Sequence, residues 1–272
     1  MTKRFSVFST LSAAALCAAL SIAGCGNNKN EKQQQPVNAA PAPVTLSVFA
    51  AASLTEALTE ISALYKASAP AVTLSFNFDS SGKLQTQIEN GAEADVFFSA
   101  GQKQMDALAE CCVDAATRKD LLVNKIVLIA PQENRAGVAS FEDCMTKKVK
   151  LIALGNESVP VGQYAKEIFE SLKGWDKVSS KASLGTNVKE VLSQTESGSV
   201  DCGVVYSTDA ATSKGGIKVV ATAPEGSHKP AVYPAAALKK SANAEAAKAF
   251  LDYLSSPEAV SVFEKIGFET VK

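Results

Sequence analysis

The chain has 272 residues, of which 46% are apolar, enough for one large domain or two of ordinary size, each with its own core. Its 27 Lys and Arg nearly cancel its 28 Asp and Glu. That balance excludes a disordered tail protein and a nucleic-acid binder with a basic face.

At the amino terminus Lys3 and Arg4 precede an apolar, Ala-rich run from Phe5 to Ala23, the layout of a secretory signal. The run ends in Ile22-Ala23-Gly24-Cys25, which resembles the bacterial lipobox, where the cysteine sulfur accepts a diacylglyceryl group. Residues 1–24 then form a lipoprotein signal peptide, and the mature chain begins at a lipidated Cys25. An uncleaved membrane anchor is the alternative, and it too places the remainder outside the cytoplasm. The stretch 25–43 is Asn, Lys, Gln, Ala and Pro with almost nothing to bury, so a flexible tether is expected.

The folded part alternates strands with helices. Val44 to Ala50 is β-rich, Leu54 to Ser68 has helical apolar spacing, and Val72 to Phe78 is again β-like. A helix from Lys83 to Glu89, a strand Asp95 to Ser99, a helix Gln102 to Glu110 and the apolar run Lys125 to Ala130 continue the βαβ pattern. A second set follows: strand Lys150 to Leu154, helix Gly162 to Leu172, helix Asn187 to Ser197, and strands Cys202 to Tyr206 and Ile217 to Val220. Two closing helices, Ala244 to Ser255 and Pro257 to Ile266, carry apolar faces that need a sheet to cover. This pattern predicts an α/β protein of two lobes, each a mixed, mainly parallel sheet flanked by helices. Lobe 1 takes 44–122 plus 232–272, lobe 2 takes 123–231, and two crossovers make a hinge.

Cys111, Cys112, Cys144 and Cys202 show no metal-ligand spacing. In an oxidising compartment one disulfide, for example between the Cys111/Cys112 pair and Cys144, is open, with Cys202 a small core residue.

Several strands end in short hydroxyl-bearing turns that open into a helix, the edge of an open α/β sheet where ligands sit. These turns are Ala52-Ser53-Leu54-Thr55, Asp79-Ser80-Ser81-Gly82, Ser158-Val159-Pro160-Val161-Gly162 and Gly185-Thr186-Asn187-Val188. Each aims unpaired N–H groups and the positive end of a helix dipole at one spot, which suits an anion. Any one of them is equally an ordinary helix cap.

Phe49-Ala50-Ala51-Ala52-Ser53-Leu54-Thr55 is similar to the opening motif of the periplasmic molybdate-binding proteins of ABC importers. Ser80-Ser81-Gly82, Gly91 to Ala100, Thr117 to Leu122, Ser158 to Glu167, Gly203 to Ala210, Pro224 to Pro230 and Ile266-Gly267-Phe268 resemble the same family in the same order, from Val44 to Lys272. The resemblance implies a periplasmic-binding-protein fold of the second type that holds one tetrahedral oxyanion, molybdate or tungstate, between its lobes. It implies that Ser53 and Ser81 donate through hydroxyl and N–H, Val161 and Val188 through N–H, and Tyr206 through its phenol. It further implies a monomer with no cofactor, no free metal cation and no catalytic residue, delivering its ligand to the membrane permease of an ABC importer.

Two residues depart from the family pattern: Asp79, where a small residue is usual, and Gly101, where an aspartate is usual. Asp79 bears on selectivity. Molybdate, tungstate and sulfate only accept hydrogen bonds near neutrality, whereas phosphate usually carries a proton and needs an acceptor. Another oxyanion such as sulfate or phosphate is therefore the alternative ligand. Of a different class, a hydrolase acting through Ser81 is suggested by Ser80-Ser81-Gly82-Lys83, which looks superficially like a phosphate loop. That reading lacks the glycine spacing, a Ser or Thr after the lysine, and a partner for the single histidine, His228.

Overall fold

The computed structural model describes residues 42–271, so the signal peptide, Cys25 and most of the tether expected from sequence lie outside the described residues. The chain opens with β1 (Val44–Ala51), α1 (Thr55–Ser68), β2 (Val72–Asp79), α2 (Ser81–Glu89), β3 (Val96–Phe98), α3 (Gln102–Ala107) and β4 (Lys119–Asn124). It crosses into β5 (Ile126–Pro131), β6 (Ile152–Gly155), α4 (Pro160–Ser171), α5 (Trp175–Ser179), β7 (Ala182–Gly185), α6 (Val188–Glu196), β8 (Cys202–Tyr206), α7 (Ser207–Thr212) and β9 (Ile217–Thr222). It returns through β10 (Ala231–Ala237) and ends in α8 (Ala244–Tyr253), α9 (Pro257–Ile266) and β11 (Glu269–Thr270).

These strands form a six-stranded sheet, β11-β4-β10-β3-β1-β2, and a five-stranded sheet, β7-β6-β8-β5-β9. Each sheet anchors one lobe. The strands joined through helices pair in parallel, β1 with β2 and β3, and β6 with β7 and β8. Strands β4, β5 and β10, at the crossovers, pair antiparallel with their neighbours. Parallel and antiparallel pairs are close to balanced, so the sheets are more mixed than the βαβ alternation suggests.

Period-2 alternation places the core of the first sheet. Val48, Ala50, Val96 and Phe98 face one apolar cluster with α1, α8 and α9, while Phe49 and Phe97 face another with Leu84, Ile88 and Met105 of α2 and α3. Both faces are covered, which is why these strands read as nearly continuous apolar runs. The closing helices pack back onto the first sheet, with the Phe250 ring 5.1 Å from Tyr65 and Phe263 edge-on to Phe98 at 6.3 Å. Helix α9 has a Ser256 cap, Pro257 in its first turn and Gly267 in the left-handed conformation (φ 104°) at its end, the start and stop signals its sequence carries.

Four strands escaped the sequence pattern, among them the two-residue β11. β4 begins with charged residues, β7 is short and ends beside the exposed Leu184, and β10 contains Pro234, where the pairing with β4 shifts register. The links between the lobes run from β4 to β5, through Asn124 and Lys125, and from β9 to β10.

Cysteine pairing also differs from expectation. Cys111 and Cys112 are joined to each other, and Cys144 is a buried free thiol whose Sγ lies 3.7 Å from that of Cys202. Cys144 sits under the Glu142–Met145 turn and faces β8, so it cannot also meet the Cys111/Cys112 turn that follows α3. Among the described residues no helix is long and apolar enough to cross a membrane.

Candidate functional site

Four helices open toward the seam between the lobes: the single turn Ala52–Leu54 and α2 from the first, α4 and α6 from the second. A cavity of about 10 Å³ lies at the seam, walled by Ala51, Ala52, Ser53, Asp79, Ser80, Ser81, Ala100, Val159, Pro160, Val188 and Tyr206. Four of the five residues singled out in the sequence, Ser53, Ser81, Val188 and Tyr206, are therefore in one wall. The fifth, Val161, is fully buried just behind it. Pro160 has no N–H, so the Val161 amide is the first that α4 can offer toward the seam. Ser81 and Val188 likewise hold the first positions of their helices, where the amide has no partner within the helix.

The local sequence keeps these helix starts in place. Ser80 caps α2 by accepting the Lys83 N–H, and Asn187 caps α6 by accepting the Glu190 N–H at 3.1 Å. Glu190 reaches back to the Thr186 N–H at 2.7 Å, completing a reciprocal cap that holds its carboxyl below the usual carboxylate range. The Asn156 carboxamide accepts both the N–H and the hydroxyl of Ser158 ahead of α4. At Gly162 a Cβ would lie 2.1 Å from the Gly155 carbonyl, so the first turn of α4 sits directly on β6.

Two serine hydroxyl protons can face the cavity. Asn124 Nδ2 donates to Tyr233 Oη at 3.2 Å and to Thr208 Oγ1 at 2.8 Å. Tyr233, already accepting, can pass its own proton to Ser53 Oγ at 3.0 Å, which leaves the Ser53 hydroxyl to donate into the cavity. Ser81 Oγ accepts the Ala100 N–H at 2.9 Å, so its proton too is uncommitted. Tyr206 Oη donates to the Ala100 carbonyl at 3.2 Å across the seam. Burial pushes the Tyr206 phenol well above its ordinary pKa, aided by Tyr233 and Tyr164, so it remains a proton donor.

Among the described residues, no Arg, Lys or His stands in the cavity wall. The one carboxylate there, Asp79, is committed: Oδ1 accepts the Ser80 N–H at 2.7 Å and Oδ2 pairs with Lys83 at 3.3 Å. His228 lies elsewhere, edge-on to Tyr164, with Nδ1 2.6 Å from the Lys229 carbonyl. Gly101 packs beside Pro160 of the opposite lobe. A larger cavity of about 880 Å³ lies at the other end of β1, but Glu89, Glu93 and Asp95 in its wall suit it poorly to an anion.

Sequence reasoning missed three contributors. Ala100, Tyr233 and Asn124 orient the hydroxyls, but they do so through tertiary contacts that no local motif marks. It also missed the cross-seam contacts: the Gly82 N–H on the Ser158 carbonyl at 3.0 Å, Gln104 on Gln163 at 3.2 Å, and Lys189 on Glu56 at 2.8 Å. Lys189 also lies 3.1 Å from the fully buried Asp209.

Comparison with known proteins agrees with this architecture. Residues 46–269 match the family described as bacterial extracellular solute-binding protein. The chain is 41% identical over 271 residues to the Bacillus subtilis (strain 168) protein named "Putative ABC transporter substrate-binding lipoprotein YvgL", covering 98% of this chain and 99% of that protein. It is 42% identical to the molybdate-binding protein ModA of Escherichia coli (strain K12), over 84% of this chain and 89% of that one. The solved periplasmic molybdate-binding protein of Azotobacter vinelandii superposes with a TM-score of 0.73 at 24% identity, covering 84% of this chain and 100% of that one, a likeness of fold. The family is one of solute-binding proteins rather than enzymes, and this chain belongs to the bacterial extracellular solute-binding proteins.

Proposed function

We propose that this protein captures molybdate, and tungstate with it, in the seam between its lobes and delivers it to the membrane permease of an ABC importer. The observation that carries the proposal is the meeting of uncommitted donors from both lobes, the Ser53 and Ser81 hydroxyls and the first amides of α2, α4 and α6, at one wall without a cation. Such a site holds a dianion by dipoles and hydrogen bonds, in a water-poor setting that strengthens both. The relative at 42% identity is a molybdate-binding protein, which favours this anion. Each Asp79 oxygen already holds one protein partner, the Ser80 N–H or Lys83, which disfavours its turning to take the proton that phosphate carries. A cavity of about 10 Å³ has room for about one water, so a four-oxygen anion enters only as the lobes part, and the hinge serves that motion. Attachment through a lipid on Cys25 would keep the receptor near its permease, in keeping with the lipoprotein name of its relative.

Titration calorimetry and thermal melts with molybdate, tungstate, sulfate and phosphate test this reading. Molybdate and tungstate are expected to raise the melting temperature by mass action, with sulfate and phosphate weaker. Equal shifts with phosphate would overturn the choice of anion. Tyr206→Phe keeps the buried ring but removes a donor that would turn from the Ala100 carbonyl to the anion. We expect it to weaken molybdate binding on the order of tenfold to a hundredfold, and an unchanged affinity in the same calorimeter would remove Tyr206 from the site.

A further inference from the structure

Cys144 and Cys202 are 58 residues apart in sequence, yet their sulfurs lie 3.7 Å from each other inside the second lobe. Both side chains are fully buried. Cys144 belongs to the short turn Glu142–Met145 and Cys202 is the first residue of β8, so the fold alone brings together two thiols that no local motif connects. We propose that Cys144 and Cys202 form a structural disulfide in the exported protein, stapling that turn to β8.

The family to which the chain belongs is extracellular, and thiols that reach an oxidising compartment in contact with one another are oxidised there. The step is thiol–disulfide exchange with a disulfide oxidant, either an exported oxidoreductase or a small-molecule disulfide. One thiolate attacks the oxidant's S–S bond to give a mixed disulfide, and the second displaces the oxidant's remaining thiol. The protein loses two hydrogens as the oxidant becomes two thiols. The sulfurs must approach from 3.7 Å to a bond of about 2.05 Å.

Timing matters. In the folded lobe Cys202 is held far above the usual thiol range by its contact with Cys144 and by burial, and both sulfurs are shielded from solvent. The attacking thiolate is thus scarce once folding is complete. Oxidation therefore belongs to the folding chain just after export, and protein folded in a reducing compartment keeps the pair as thiols. The Cys111–Cys112 link in the other lobe closes almost no loop, whereas a Cys144–Cys202 bond closes one of more than fifty residues and restricts the unfolded chain far more.

The test is alkylation of the exported full chain, unfolded without reductant and digested, beside the same chain made in a reducing cytoplasm. A linked peptide pair containing Cys144 and Cys202, lost on reduction, is expected from the exported protein, with both cysteines alkylated in the cytoplasmic one. Alkylation of both in the exported protein, or a link from either to Cys111 or Cys112, would overturn the proposal. As a second readout, exported protein should melt on the order of 5 to 10 °C above the same protein unfolded, reduced and refolded with reductant. Exchange of Cys111 and Cys112 for serine should preserve that difference, and Cys144→Ser should abolish it. A difference that survives Cys144→Ser would equally overturn the proposal.

Discussion

Replacing Gly82 by alanine is expected to weaken oxyanion binding about tenfold to a hundredfold while leaving the unliganded melting temperature unchanged or slightly higher. Gly82 is the second residue of α2, and its N–H meets the Ser158 carbonyl of the opposite lobe at 3.0 Å. A Cβ there would lie 2.2 Å from that same oxygen. The obstacle is backbone, which cannot swing aside as a long side chain can, so the lobes must stand further apart. Donors from one lobe then fall short of an anion held by the other. Within its own helix alanine is the better residue, by close to 1 kcal/mol. Melting without ligand and calorimetry with molybdate separate the two effects. A variant that melts normally and binds molybdate as tightly as the parent would show that the Gly82–Ser158 contact is not needed for binding.

Lys189→Met should destabilise the protein by about 3 kcal/mol near neutrality, the other large effect. Lys189 bridges Glu56 on α1 and Asp209 on α7, joining the lobes while offsetting a buried carboxylate. Asp209 is fully buried, and its oxygens accept no hydrogen bond of good geometry. Burial, only partly opposed by the Lys189 ammonium, lifts its pKa from 3.8 to about 6. For Lys189 itself burial pulls downward, but Asp209 and Glu56 together more than offset it, so its pKa ends above the ordinary value.

The sign of the pH dependence follows from Asp209. Between 3.8 and about 6 the folded state keeps a proton that the unfolded chain has lost, so this group lowers stability progressively as pH rises through that window. The full cost stands above about 6 and is relieved on acidification. In Lys189→Met the carboxylate has lost its counter-charge, so its pKa rises further and the deficit should be largest near pH 8 and shrink toward about pH 5. Melting curves across that range measure it. A deficit constant with pH would mean that Lys189 acts through its packing alone. Weaker molybdate binding is also expected, because the Glu56 contact that helps hold the lobes together is gone.

The helical starts around the seam were legible because capping is local. Ser80 before Ser81, Asn187 before Val188 and Pro160 before Val161 announce where amides go unpaired, and the family motifs place those starts on one cleft. The orientation of the donors was not legible. Whether the Ser53 proton faces the cavity depends on Tyr233, which sits 180 residues away on a strand whose proline hides it from a period-2 reading. Asp209 lies in the family segment Gly203 to Ala210, and neither its burial nor its pairing with Lys189 of α6 is marked by any local pattern. The pairing of the cysteines stayed open in the sequence for a related reason. Their partners are set by how the Glu142–Met145 turn packs on β8, and spacing carries no trace of that.

Asn124 shows where the lobes turn. It ends β4, at one of the two links between the lobes, and its side chain is fully engaged: Tyr233 on one side, Thr208 and Ser207 on the other, with the Lys125 N–H between. A residue tied to both halves is placed as a fulcrum. The wall of the proposed anion site begins two hydrogen bonds away, through Tyr233 to Ser53, while the clasp of Glu56 and Lys189 lies on more exposed helices. On such a fulcrum a small separation of the donors would become a larger displacement at the outer surface. A permease touching that surface would feel the capture of the anion magnified before it receives the anion itself.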